Sequence, residues 1–101
     1  MITSLENKEI KKYLKLKKKK YRDLEKLFLV EGEHLIKEAE KSNSLVKVIL
    51  TEDKELETNK EILYVTQEIM KKLSNLDTPP EMIGVCKIND NNKVGGNIIL
   101  A

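Results

Sequence analysis

The sequence predicts an α/β layer fold in which at least part of the sheet is parallel. Two observations carry this. Short runs rich in branched apolar residues, such as Leu45-Val46-Lys47-Val48-Ile49-Leu50, alternate with stretches whose apolar residues recur at helical spacing. The length, 101 residues with 40% hydrophobic and 36% charged, allows one small domain and leaves no room for two full cores.

Residues 6–18 read as a helix, with Ile10, Tyr13 and Leu14 on one face and lysines filling the rest. The pattern resumes at Tyr21, Leu24 and Leu27, so the helix continues or restarts after the lysine run, and Tyr13 and Tyr21 fall on its apolar side. Leu27-Phe28-Leu29-Val30 reads as a buried strand ending at Glu31-Gly32. Glu33 to Lys41 reads as a helix with Leu35, Ile36 and Ala39 turned inward and charges that suit its macrodipole, and Ser42-Asn43-Ser44 ends it. Leu45 to Leu50 is a strand. Thr51-Glu52-Asp53 resembles a helix start, but the stretch to Asn59 is short and polar. Ile62 to Val65 is another strand. Thr66 can cap a helix over Gln67–Ser74, whose stripe is Ile69, Met70 and Leu73. Asp77-Thr78-Pro79-Pro80 is a rigid loop, Met82 to Ile88 a fourth strand, and Val94 to Ala101 an apolar ending after a polar break.

The net charge of +2 hides a polarity. Residues 1–22 carry nine basic groups against two acids, a net +7; the remainder is −5. A basic segment on an acidic body suits a polyanion. Nucleic acid fits, but basic arms also bind membranes and acidic proteins, and a solvated lysine-rich helix is the plain alternative. Lysine outnumbers arginine 18 to 1. Lysines hold phosphates and carry little base information, so a bound nucleic acid would be held by its backbone. With Tyr13, Tyr21, Phe28 and Tyr64 as the aromatics, a single-strand stacking platform is poorly supplied, although Tyr13 or Tyr21 could stack on one base.

Catalytic constellations are missing. Gly95-Gly96 reads as a linker and not as a phosphate cradle. His34, the sole histidine, reads as a surface or capping residue. Cys86 lies mid-strand among apolar neighbours and reads as an inert buried thiol; a single cysteine makes no internal disulfide. Asp23 and Glu25 read as surface partners of nearby lysines. No apolar run approaches the length of a membrane span, and the reading is of a cytoplasmic domain without a membrane partner.

Ile2-x-Ser4-x-x-Asn7-x-x-Ile10-Lys11, then Leu16, Lys19-Lys20-x-Arg22 and Phe28-x-Val30-Glu31-Gly32, resembles the N-terminal substrate-binding domain of SpoU/TrmH-type RNA 2′-O-ribose methyltransferases of the SPOUT class. Val65-Thr66-x-x-x-Met70-x-x-Leu73-Ser74 and Thr78-Pro79 extend the likeness to about residue 88. The resemblance implies a three-layer α/β/α sandwich with a mixed, partly parallel sheet, similar to the kink-turn-binding ribosomal proteins. It implies that residues 1–90 hold RNA, rRNA or tRNA and not DNA. It also implies that 91–101 is a linker or the start of a knotted catalytic domain absent from this chain, with Asn97-Ile98-Ile99-Leu100 as its first strand. That domain would bind S-adenosylmethionine and make the full-length parent a homodimer; this chain itself would hold no cofactor and no metal.

Carried over residue by residue, Lys11, Lys19, Lys20 and Arg22 match basic positions and are the expected RNA contacts; Lys12, Lys15, Lys17 and Lys18 join them on charge alone. Phe28, Glu31 and Gly32 match a block read as structural, with Glu31 facing a helix N-terminus and Gly32 allowing a tight strand-to-helix turn. Two departures concern the backbone. Pro80-Glu81 stand where the family often has Gln-Gly, which argues against a flexible-backbone role for that loop; Lys26 stands where it often has glycine, so a different turn into the first strand is expected. A stand-alone kink-turn or ribosome-associated protein, and a protein-interaction domain with an acidic partner, are the other readings.

Overall fold

The computed structural model describes residues 1–88. Gly95-Gly96, the expected strand at 97–100 and the expected boundary near residue 90 lie outside the described residues. The elements run α1 (Lys8–Lys15), α2 (Lys19–Glu25), β1 (Leu27–Glu31), α3 (Glu33–Lys41), β2 (Leu45–Thr51), β3 (Glu61–Val65), α4 (Gln67–Leu73) and β4 (Met82–Lys87). They build a mixed four-stranded sheet in the order β1-β4-β2-β3. β4 pairs antiparallel with both β1 and β2, while β2 and β3 are parallel.

Strand alternation sends side chains to two opposite cores. Ile49, Val65, Ile83 and Val85 point to one, where Ile10, Tyr13 and Leu16 meet Ile69, Met70 and Leu73. Val48, Leu50 and Cys86 point to the other, under Ile36 and Ala39 of α3. The result is the expected α/β/α sandwich, with α1 and α4 on one face and α3 on the other. A register shift between Leu45 and Lys47 keeps Leu45 on the α3 side despite its odd spacing from Val48. Gly84 is required by the closeness of α3: a Cβ there would stand 3.0 Å from Ile36 Cγ1 and 3.0 Å from Leu45 Cδ1.

Parallel neighbours need a crossover, usually helical. Here residues 52–60 make it without a helix, so the helix-like start at Thr51 is not continued; Thr51 Oγ1 donates to Asp53 at 2.9 Å instead. Lys37 donates to the Glu57 carbonyl at 2.7 Å, and Thr58 to Glu40 at 2.9 Å, tying this loop to α3. Ile2 extends the sheet at β3: its N–H donates to the Tyr64 carbonyl at 2.8 Å.

Three expectations are corrected. The first helix does not run over 6–18; it stops at Lys15, turns through Leu16–Lys18 and restarts as α2. Leu24 is 69% exposed, because the separated α2 does not share the buried face of α1. Leu35 is 48% exposed, because it lies about 100° around α3 from Ile36, beyond Ala39, at the edge of the face turned to the sheet. Thr66 caps α4 as expected, its Oγ1 accepting from Ile69 N at 3.3 Å.

Candidate nucleic-acid interface

Asn7 starts α1, its side-chain oxygen accepting from Glu9 N at 2.9 Å and Ile10 N at 3.2 Å. The helix buries Ile10 and Tyr13. Lys8, Lys11, Lys12 and Lys15 recur at i, i+3, i+4 and i+7, and Lys11 and Lys12 are exposed at its middle. That spacing puts the four on a single stripe facing away from the core.

The buried side of α1 is tied to the sheet by ions. Glu9 accepts from Tyr13 Oη at 2.6 Å and from Lys47 Nζ of β2, and Lys47 also meets Glu61 at 3.6 Å. Burial alone would push the Glu9 carboxyl up, but the hydrogen bonds from Lys47 and Tyr13, with the Lys47 charge, outweigh it and hold Glu9 below its ordinary value. The hydrogen bond to Glu9 holds Lys47 above its ordinary value against desolvation. Burial, then the Glu9 hydrogen bond, push the Tyr13 phenol up.

The break after α1 is held by Arg22. Leu16, Lys17 and Lys18 donate their N–H groups to Tyr13, Leu14 and Lys15 in tight turns, leaving the carbonyls of Leu16 and Lys17 unpaired within α1. Arg22 Nη1 donates to both, each at 3.0 Å. Lys17 Nζ reaches the Ser74 carbonyl at the end of α4, 3.2 Å away. Arg22 and Lys17, expected to face RNA, thus also hold main-chain oxygens of their own fold.

The remaining expected contacts stay at the surface with different neighbours. Lys11 pairs with Glu6 at 2.9 Å, Lys12 with Glu25 at 3.9 Å and Lys19 with Asp23 at 2.8 Å. Asp23 and Glu25 are therefore the lysine partners the sequence suggested. Lys18 is exposed at the start of α2. Lys15 and Lys20 differ from all of these: their ammonium groups stand 5.3 and 5.5 Å from the centroid of the Tyr21 ring. Tyr21 is half-buried on α2 and not on the apolar side of one long helix, since the break separates it from Tyr13.

In the Phe28-Glu31-Gly32 block, Phe28 packs with the α3 core. Gly32 has φ 101° and caps α3, a conformation that favours glycine, so the tight turn is present. Glu31 does not face the α3 N-terminus as expected. Strand alternation turns it to the opposite face, where it accepts from Ser74 Oγ and, at 2.8 Å, from Asn75 N, closing the end of α4. Lys26 and Glu81, the two departures from glycine, have φ of 60° and 65°. Lys26 occupies the left-handed C-cap of α2, so the turn into β1 keeps a glycine-type conformation without the glycine.

His34 is exposed. Cys86 is fully buried and its thiol is pushed up to about 11 by desolvation. Among the described residues no group of three or more His, Cys, Asp or Glu is placed to hold a metal ion, and no helix is long and apolar enough to cross a membrane.

Residues 7–84 match the family described as MRM3-like substrate binding domain. The 23S rRNA (guanosine(2553)-2′-O)-methyltransferase RlmP of Bacillus subtilis is 36% identical over 90 residues, 84% of this chain and 36% of that protein. A crystal structure of an RNA 2′-O ribose methyltransferase superposes with a TM-score of 0.81 at 25% identity, covering 99% of this chain and 41% of that one. The SpoU methyltransferase AviRb of Streptomyces viridochromogenes, solved with AdoMet, shares the fold with a TM-score of 0.76 at 16% identity, over 92% of this chain and 40% of that one. The chain thus spans a little over a third of the length of the relatives it matches.

Proposed function

The chain belongs to the MRM3-like substrate-binding domain family, and from that premise we propose that it holds RNA, most simply ribosomal RNA, for a 2′-O-ribose methyltransferase. The observation that carries the reading is the Lys8-Lys11-Lys12-Lys15 stripe of α1, with Lys15 and Lys20, on either side of the Arg22-held turn, both beside the Tyr21 ring. Lysines displace counterions from phosphates and position the RNA without reading its bases. Several of them already face carboxylates, so RNA phosphates compete with Glu6, Glu25 and Asp23 for their charge. The role of residues 1–90 is therefore docking, and the remainder of the parent supplies chemistry in the cytoplasm as a homodimer.

In that parent S-adenosylmethionine supplies the methyl group. The described residues do not fit it. A cleft of about 350 Å³ lined by Gln67, Glu68, Met70, Lys71, Pro79 and Glu81 opens to solvent, whereas cofactor sites enclose roughly 70–90% of their ligand. No step is assigned to this chain beyond holding the substrate.

The test is a titration of a fluorescein-labelled 23S rRNA hairpin with the 101-residue chain at low salt. Binding that weakens when Lys12, Lys15 and Lys20 become alanine, and not when Lys71 and Lys72 do, supports the role. Absence of binding at low salt contradicts it.

A further inference from the structure

We propose that Tyr21, with Lys15 and Lys20, forms a subsite for one unpaired nucleotide of the bound RNA, the base lying on the phenol ring and the adjoining phosphates on the two ammonium groups. The inference rests on the RNA-holding role above and adds to it a contact that discriminates unpaired from paired RNA. Tyr21 differs in its surroundings from the other aromatics. Tyr13 is 4% exposed with its hydroxyl on Glu9. Phe28 packs beneath α3. Tyr64 lies at the β3 edge beside Met1 and Glu52. Among the described residues, Tyr21 alone of the four aromatics has cations over its ring, at 5.3 and 5.5 Å.

The charge of those two cations is directed at the ring and not at a carboxylate. Lys11, Lys12 and Lys19 each meet a carboxylate, while among the described residues Lys15 and Lys20 have the Tyr21 ring as their partner. A ring gives an exposed ammonium only a weak attraction, and a phosphate gives it a stronger, charge-assisted one. An aromatic face beside a phosphate site is the chemistry of a nucleotide whose base is free to stack. In a continuous duplex the bases are already stacked internally, so a ring at the surface meets only the backbone. The backbone is set before RNA arrives: Lys15 ends α1, Lys20 and Tyr21 lie in the first turn of α2, and Arg22 holds the turn between them through Leu16 and Lys17; on binding, the two ammonium groups leave the ring for the phosphates and the base takes their place on its face.

The sequence has no tryptophan, so Tyr21→Trp places a single emitter in the subsite. Binding of the unmodified chain to a uridine 12-mer and to a blunt RNA duplex is measured first, by anisotropy of labelled RNA. The Tyr21→Trp chain is then titrated with the same two RNAs unlabelled. The expected result is strong quenching by the uridine oligomer and little by the duplex. Tyr21→Phe is expected to keep the affinity for the oligomer, and Tyr21→Leu to lose about 5- to 150-fold, the range of one base–aromatic stack, with duplex affinity nearly unchanged. Binding without quenching, or equal losses on both RNAs for Tyr21→Leu, overturns the subsite and leaves the RNA-holding role standing. If the unmodified chain binds neither RNA, both fall. Circular dichroism of each variant separates misfolding from loss of contact.

Discussion

Nη1 of Arg22 lies 3.0 Å from the carbonyl oxygen of Leu16 and also reaches that of Lys17. One side chain thus closes the end of α1 while standing in the middle of α2. The two basic helices meet at a corner that Arg22 ties together, with lysines on either side of it.

Arg22→Ala leaves two main-chain carbonyls without their charged donor, and is expected to lower unfolding stability by about 1–2 kcal/mol. Lys20→Ala, at an exposed position, is expected to stay within about 0.5 kcal/mol of the parent chain. Urea unfolding measures both. Equal stabilities would show that the guanidinium contributes nothing to the corner.

A non-glycine residue in the left-handed region costs about 1–2 kcal/mol, and glycine returns part of that gain as unfolded-state entropy. Lys26→Gly is therefore expected to stabilise the chain by about 0.5–1 kcal/mol. Asn43, also at φ 61°, is a residue type that tolerates the conformation, so Asn43→Gly is expected to change stability less. The same denaturation series checks the pair, with Lys26→Ala to separate loss of the side chain's own contact from the backbone effect; a Lys26→Gly less stable than Lys26→Ala would contradict the strain.

The architecture was legible because strand alternation and helical spacing answer to the same burial. The span of α3 and the Thr66 cap follow directly from it, as does the buried Cys86. The corner at Leu16–Lys18 was half legible, because the apolar pattern either side of the lysine run is compatible both with one helix and with a restart. Only the third dimension shows that Arg22 turns back on Leu16. Glu31 was misplaced for a similar reason: it adjoins α3 in sequence, yet strand alternation sends it to Ser74, 43 residues away along the chain. Tyr21 was legible as an aromatic among lysines, but its separation from Tyr13 depends on that unseen corner.

The Glu9–Lys47 contact makes part of the stability depend on pH. The folded carboxyl of Glu9 is held below its ordinary 4.5, so its contribution is present above that value and is lost as pH falls through the folded one. Lys47, held above its ordinary 10.5, contributes below that value and loses its contribution as pH rises through the folded one. Glu9→Gln is accordingly expected to be less stable than the parent chain at pH 7, with the difference shrinking as pH falls below the ordinary 4.5. Thermal melts across this range check it; a difference that does not change with pH would place the role of Glu9 in packing alone.

Docking through lysines is tested most directly by the salt dependence of RNA affinity. For about three to five phosphates held, log K against log salt is expected to fall with a slope of about −2 to −4. Converting Lys12, Lys15 and Lys20 to alanine is expected to flatten that slope by about 2 as affinity drops. A slope near zero, or one that the three substitutions leave unchanged, would contradict a lysine-held RNA backbone.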